Sequence, residues 1–131
     1  MCPPGWTHFE NHCYLFNHAL KYWADAERAC TSLGGNLASL PNSKVYGFIR
    51  AIIHRSTGKH LRTWVGGYDA VKEGVWLWSD GSKFDFKGWH RGEPNNARGH
   101  ENCMEINVSG RNYVNDGQCH RKNYFVCGKS L

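Results

Sequence analysis

The chain places Glu93, Asn95, Glu101, Asn115 and Asp116 within one stretch of 24 residues, the first two inside Gly92-Glu93-Pro94-Asn95-Asn96. All five side chains end in carboxylate or amide oxygens. These are hard donors, which suit calcium far better than zinc or copper. No Cys or His is needed to complete the set. Calcium takes about 6–8 oxygens, so an ion held by protein on one side keeps positions open on the other. Vicinal sugar hydroxyls fit such positions. Glu93 and Glu101 alone also suggest a glycosidase dyad, but a dyad leaves the neighbouring Asn residues without a role.

Little else in the chain competes with that chemistry. There is no Gly-x-Ser-x-Gly elbow, phosphate loop or His-Glu-x-x-His zinc motif, so a binding protein is expected rather than an enzyme. The formal net charge is +5, from 16 Lys and Arg against 11 Asp and Glu. The basic residues are scattered. The densest runs, His120-Arg121-Lys122 and residues 54–62, carry no nucleic-acid fold signature. A solvated basic surface accounts for them, with weak attraction to anionic glycans or membranes left open and no nucleic-acid partner expected. His90 and His100 flank the Glu-Pro-Asn loop. Protonated, they would add positive charge beside a metal; the plainer reading is two exposed loop histidines.

A small scaffold must position these donors. At 131 residues the chain fits one domain, residues 1–131, large enough for a core yet small enough to gain from covalent staples. Six Trp, six Tyr and six Phe can fill that core. The six cysteines, Cys2, Cys13, Cys30, Cys103, Cys119 and Cys127, include no Cys-x-x-Cys pair. Three disulfides in an oxidising, extracellular setting are the natural reading, each contributing roughly 2–4 kcal/mol; spacing alone does not choose the pairing. No apolar run of about 18 residues is present, so no membrane span is expected. No signal peptide is evident, and Met1 directly before Cys2 looks like an initiator on a trimmed, mature, secreted domain. Asn107-Val108-Ser109 is an N-glycosylation sequon, set in a predicted strand.

Cys2-Pro3-Pro4-Gly5-Trp6 reads as a turn into an extended segment through Phe16, where Tyr14 and Phe16 alternate. Trp23, Ala26, Cys30 and Leu33 recur at helical spacing, predicting a helix over about residues 22–33 that Gly34-Gly35 stops. Asn42 or Ser43 can cap a second helix with a stripe of Val45, Phe48, Ile49, Ile52 and Ile53, leaving at Gly58. Strands are predicted at residues 62–68, 75–78, 104–108, 112–114 and 123–128, with Asn115-Asp116-Gly117 as an interruption. Residues 81–102 are loop-like, with Gly88, Gly92, Pro94 and Gly99. Helices followed by strands give an α+β class. An ordered loop of about 20 residues in so small a domain is usually functional.

Further residues extend the pattern along the chain: Cys2 and Cys13, Trp23-Ala24-Asp25-Ala26 leading to Cys30, Gly35-Asn36-Leu37-Ala38-Ser39, Trp64-Val65-Gly66-Gly67, Trp76-Leu77-Trp78-Ser79-Asp80-Gly81, Trp89, Glu93-Pro94-Asn95, Glu101-Asn102-Cys103, Asn115-Asp116, Cys119 and Phe125-Val126-Cys127. In this order and spacing the chain resembles a C-type lectin-like domain over nearly its full length. The resemblance implies a double-loop fold of two helices and small antiparallel sheets, with disulfides Cys2–Cys13, Cys30–Cys127 and Cys103–Cys119. It makes Trp64-Val65-Gly66-Gly67 a core strand with a packing role. It assigns Ca2+ as cofactor, held by Glu93, Asn95, Glu101, Asn115 and Asp116, with a cis bond before Pro94 that aims Glu93 and Asn95 at one point. The same five residues would bind sugar. Glu93 with Asn95, and Glu101 with Asn115, would each offer a hydroxyl one acid acceptor and one amide donor. Asp69, Glu73, Asn96, Glu101 and Asn102 resemble a candidate second calcium site, weakened because Asn96 and Asn102 stand where acids are common.

The order Glu-Pro-Asn resembles the class that prefers equatorial vicinal hydroxyls, as in mannose, glucose, N-acetylglucosamine and fucose; galactose binders of the family usually carry Gln-Pro-Asp. The resemblance therefore implies a calcium-dependent, mannose-type lectin whose partners are glycans or glycoproteins. In length the chain also resembles stand-alone members such as fish lectins, fish type II antifreeze proteins, venom lectin-like proteins and pancreatic regenerating-type proteins. Some of these present a flat surface to ice or protein instead, which is the alternative reading; the extra cysteines of antifreeze members are missing here. No seventh cysteine remains for a covalent dimer, and non-covalent homo-oligomers stay open, with avidity as their gain.

Overall fold

The computed structural model describes residues Met1–Leu131. Strands β1 (Thr7–Phe9) and β2 (His12–Lys21) form a hairpin. Helix α1 (Trp23–Ser32), the two-residue β3 (Asn36–Leu37) and helix α2 (Ser43–Thr57) follow. The second half contributes β4 (Thr63–Tyr68), β5 (Leu77–Trp78), β6 (Cys103–Ile106), β7 (Asn115–Gly117) and β8 (Asn123–Ser130). Helix α1 begins without a side-chain cap. Helix α2 is capped by Asn42, whose amide oxygen accepts from the Val45 N–H at 3.0 Å. It ends at Gly58, where φ of 75° suits a residue without Cβ.

The strands join in the order β1-β2-β8-β4-β6-β7, with β3 on β8 and β5 on β4. The expected antiparallel sheets are corrected to one mixed sheet, because β4 and β8 run parallel with Trp64 opposite Phe125. A parallel pair needs a long connection, and the excursion through residues 69–122 supplies it. The face of α2 bearing Val45, Ile49, Ile52 and Ile53 packs into the larger core with Val65, Met104, Ile106, Val114 and Val126. Helix α1 buries Ala26 and Cys30 in a smaller cluster with Leu37, Trp64, Phe125 and Cys127. Trp64 is fully buried, and its indole N–H donates to the Lys21 carbonyl at 3.0 Å. At Gly67 a Cβ would lie 2.8 Å from the Met104 methyl, so β4 approaches β6 only because no side chain intervenes.

All three disulfides pair as the resemblance implied: Cys2–Cys13, Cys30–Cys127 and Cys103–Cys119. Cys30–Cys127 spans 97 residues and ties α1 to β8; closing so long a loop contributes roughly 4–5 kcal/mol on the chain-entropy account. Cys103–Cys119 ties β6 to the segment just past β7. No helix is long and apolar enough to cross a membrane.

Several predicted strands are corrected. Residues 112–114 are not a strand, whereas Asn115–Gly117, read as an interruption, is β7. Pairing with β6, in which Asn115 faces Glu105 and Asp116 faces Met104, overrides the turn preference of Asn-Asp-Gly. The strand predicted to reach Val108 ends at Ile106, and Val108–Gly110 is a 3-10 turn. Asn107 has φ of 60° and no exposed surface. Its amide accepts from Arg50 Nε at 2.8 Å and donates to the Leu61 carbonyl at 3.1 Å, which closes the sequon to a glycan in the folded protein. The strand predicted at residues 75–78 shrinks to Leu77–Trp78.

The long loop carries no strand between β5 and β6, only a 3-10 turn at Ala97–Gly99. Its first half is ordered by its own aromatic side chains. Trp76 meets Trp89 edge-on at 4.7 Å and Trp78 meets Phe84 at 4.5 Å, both groups packing against the larger core. The second half carries the candidate donors.

Candidate functional site

Asp116 is the centre of the site. It is the middle residue of β7 and has no exposed surface. Its two carboxylate oxygens accept from the backbone N–H groups of Asn95, at 3.1 Å, and Asn96, at 2.6 Å. The tip of the long loop is thereby pinned to the sheet immediately after Glu93–Pro94, whose peptide bond is cis. The next N–H, of Ala97, is shared between the Asn95 amide oxygen at 3.2 Å and a Glu101 carboxylate oxygen at 3.1 Å. Glu101 in turn donates its own N–H to the Asn96 amide oxygen at 3.0 Å. Three of the sequence-predicted residues, Asn95, Glu101 and Asp116, are thus joined at one rim by hydrogen bonds, and Glu93 stands beside the Asp116 carboxylate against the repulsion of like charge. The fifth, Asn115, lies beside Asp116 on β7, and its amide nitrogen donates to Glu105 at 2.7 Å.

The carboxyl groups of this cluster crowd one another. Burial pushes the Glu93 carboxyl above its ordinary range and the adjacent Asp116 carboxylate adds to the rise, while the hydrogen bond from Tyr113 opposes it. Burial also raises Glu101, helped by the charges of Asp116 and Glu105 and opposed by the Ala97 N–H and the charge of Arg121. One Glu93 oxygen accepts from the Tyr113 hydroxyl at 2.9 Å, but the other is buried without a hydrogen-bond donor, and the polar neighbour of this carboxyl is the Asp116 carboxylate, another acceptor. A buried, unsatisfied carboxylate oxygen costs about 1–3 kcal/mol or more. A hard cation would meet that oxygen and relieve the crowding of like charges. The donor set fits such a group, although carboxylates alone do not make it: no three His, Cys, Asp or Glu side chains converge as a metal cluster. Any cation here depends on amide oxygens too.

The residues proposed for a second site divide. Asp69, buried, and Glu73 do come together with Asn102. The Asn102 amide nitrogen donates to Asp69 at 2.9 Å and to Glu73 at 3.0 Å, and the other Asp69 oxygen accepts from the Gly74 N–H at 2.9 Å. Desolvation and the hydrogen-bonded Asp69 beside it push Glu73 upward. Asn96 and Glu101 belong instead to the Asp116 cluster through their own hydrogen bonds.

Sequence reasoning missed Tyr113, Glu105 and Arg62. Tyr113 reaches Glu93 while its ring stacks on His90, centroids 3.7 Å apart and planes nearly parallel at 9°; one of the two histidines read as exposed is therefore half-buried packing. Glu105 lay between Met104 and Ile106 in an apolar strand, the one signal that could have flagged it. The largest groove, about 540 Å³ and lined by His12, Tyr14, Asp80 and Lys129 among others, contains none of the candidate donors.

A mixed sheet flanked by two helices, stapled by three disulfides and carrying an acid–amide rim on a long loop, defines a lectin-like binding module. A sequence profile for the lectin C-type domain matches residues 19–129, and the chain belongs to that family. It is 48% identical to the galactose-specific lectin nattectin of Thalassophryne nattereri, over 99% of this chain and 81% of nattectin. It is 44% identical to ladderlectin of Oncorhynchus mykiss, over 90% of this chain and 62% of that protein. The chain thus spans four fifths of one relative and less than two thirds of the other. Among solved structures, a Ca2+-dependent type II antifreeze protein in its Ca2+-free form superposes with a TM-score of 0.90 at 32% identity, covering 98% of this chain and 100% of that one. The carbohydrate-recognition domain of cow CD23, solved in the presence of a GlcNAc2Man3 oligosaccharide, gives 0.87 at 30% identity, covering 100% and 97%. Family and relatives are lectins, and the chain is not an enzyme.

Proposed function

We propose that the protein is a secreted, calcium-dependent lectin of mannose-type specificity. The carrying observation is the buried, unpartnered Glu93 oxygen beside Asp116, a polar atom that the chain itself leaves unmatched. Glu93, Asn95, Glu101, Asn115 and Asp116 would hold the ion. Calcium, when bound, supplies the open positions to which two adjacent sugar hydroxyls bind. The chain's residues do the rest. Asp116 fixes the loop tip through two backbone N–H groups. Tyr113 holds one oxygen of Glu93 in place. Glu93 and Glu101 accept hydrogen bonds from the sugar, and the amides of Asn95 and Asn115 donate to it. Three disulfides support an extracellular location, and glycans or glycoproteins are the partners inferred.

The acid-then-amide order at positions 93 and 95 supports mannose over galactose, as does the likeness to the CD23 domain solved with a mannose-containing oligosaccharide. The galactose specificity of nattectin points the other way. Retention on mannose-agarose in calcium and release by EDTA is the expected result. Retention on galactose-agarose alone overturns the sugar assignment, and retention that EDTA leaves intact overturns the calcium assignment. The likeness to an antifreeze protein supports a second reading, ice binding; thermal hysteresis that EDTA abolishes, without retention on any sugar, would favour it.

A further inference from the structure

Beneath Asn115 lies a closed ionic cluster that the donor set does not account for. Glu105 has no exposed surface and receives four donors. Arg62 binds it through Nε at 2.9 Å and Nη2 at 2.8 Å, Asn123 donates at 3.1 Å, and Asn115 donates at 2.7 Å. Gly117 leaves room for it, since a Cβ there would lie 2.7 Å from the Glu105 carboxylate. A carboxylate paired with Arg62 is an acceptor only, so it can bind Asn115 solely through the amide nitrogen. The Asn115 amide is 7% exposed at the residue level and has no freedom to turn over. Its oxygen and its second N–H must then face away from Glu105.

We propose that Glu105, anchored by Arg62, is a positioning residue. It fixes the Asn115 amide with its oxygen outward and requires an amide, not an acid, at that place. The inference rests on the calcium-lectin reading above. It explains from below why one member of the donor set is neutral: Arg62 carries one positive charge and Glu105 already matches it. An acid at position 115 would set a second carboxylate against Glu105 with no proton or cation between them.

The test is a double-mutant cycle on calcium affinity, measured calorimetrically on folded protein well below its melting temperature. Asn115→Asp adds a formal negative charge to the donor set, which by simple count should tighten calcium. The inference expects the opposite, a loss of about 10–100-fold, the range seen when the residues supporting metal ligands are changed. Glu105→Gln is expected to lose a similar factor, because its new amide can set an N–H against the N–H of Asn115. Combining Glu105→Gln with Asn115→Asp lets the new amide at position 105 donate to the new carboxylate at position 115, and affinity should return to within a few-fold of wild type. Should Glu105→Gln fail to fold, Asn115→Asp alone and the half-exposed Arg62→Lys still decide, the latter expected to weaken calcium without unfolding the chain. Tighter or unchanged calcium in Asn115→Asp, or a double variant no better than the worse single one, overturns the inference alone. A wild-type protein that binds neither calcium nor mannoside overturns the calcium-lectin reading and the inference with it.

Discussion

The Asp116 and Asp69 clusters are built from the same residue types, but they treat negative charge in opposite ways. In the Asp69 cluster, the Asn102 amide sits between two carboxyls and donates to both. Its nitrogen lies between the two carboxyls, and the group closes on itself. In the Asp116 cluster the amides of Asn95 and Asn96 offer oxygens to backbone N–H groups, and Asn115 turns its nitrogen away to Glu105. No protein donor reaches the second oxygen of Glu93. Residue type alone does not make an ion site. The end of each amide that faces the carboxylates decides it, and the neighbours behind that amide set the end.

The largest effect should come from removing the unmatched charge. Glu93→Gln takes away the buried orphan oxygen's share of charge while keeping the side chain's size. We expect calcium binding and retention on mannose-agarose to fall to background, with the melting temperature in EDTA at neutral pH unchanged or higher. A variant that is still retained, and still released by EDTA, would remove Glu93 from the site. Next in size is the converse change. The wild-type protein should bind one calcium, and Asn102→Asp should open the Asp69 cluster to a second, weaker equivalent in a calcium titration. Two equivalents in the wild type would mean that Asn102 can present its oxygen, and the contrast between the clusters would be lost.

A smaller effect concerns pH in the absence of calcium. Glu93 and Glu101 have folded values raised above their ordinary 4.5. A raised carboxyl binds its proton more tightly in the folded state than in the unfolded one. Its contribution to stability is therefore fully present below the ordinary value and is lost as pH rises through the raised value. In EDTA the wild-type melting temperature should decline across that window more steeply than that of Glu93→Gln, and the difference isolates this carboxyl from the eight histidines. In excess calcium the slope should reverse, since protons and the cation compete for the same oxygens. Parallel curves for the two proteins would show that Glu93 is not perturbed.

Much of this was legible in the sequence because it was local or was carried by cysteines. The stripe of α2 and its Asn42 cap follow from spacing that helix geometry enforces. Glu93, Asn95 and Asn96 are close in the chain, so a turn alone brings them together. The parallel pairing of β4 with β8 is a contact between residues 63–64 and 124–125, which no local pattern encodes. Asn115–Gly117 reads as a turn until β6 is laid beside it. Arg62 and Glu105 are 43 residues apart and meet only after those strands pair. The donors themselves were visible; the groups that orient them were not, because orientation is set across the sheet.

The smallest effect tests that orientation at the other end of the cluster. Tyr113 donates to the partnered Glu93 oxygen at 2.9 Å, and its ring is held by the stack on His90, whose backbone N–H donates to the Val114 carbonyl at 3.0 Å. Phe at this position keeps the ring and the stack and removes only the hydroxyl. A hydrogen bond of this kind contributes about 0.5–1.5 kcal/mol net, so Tyr113→Phe should weaken calcium by roughly three- to tenfold. The same bond opposes the rise of the Glu93 carboxyl. Its loss should therefore move the pH at which calcium is half-released toward neutrality, with little change in the melting temperature in EDTA. An unchanged calcium affinity together with an unchanged pH midpoint would reduce Tyr113 to packing. The unmatched Glu93 oxygen would then owe its position to burial alone, and the Asp116 cluster would be aimed only from the Asn115 side.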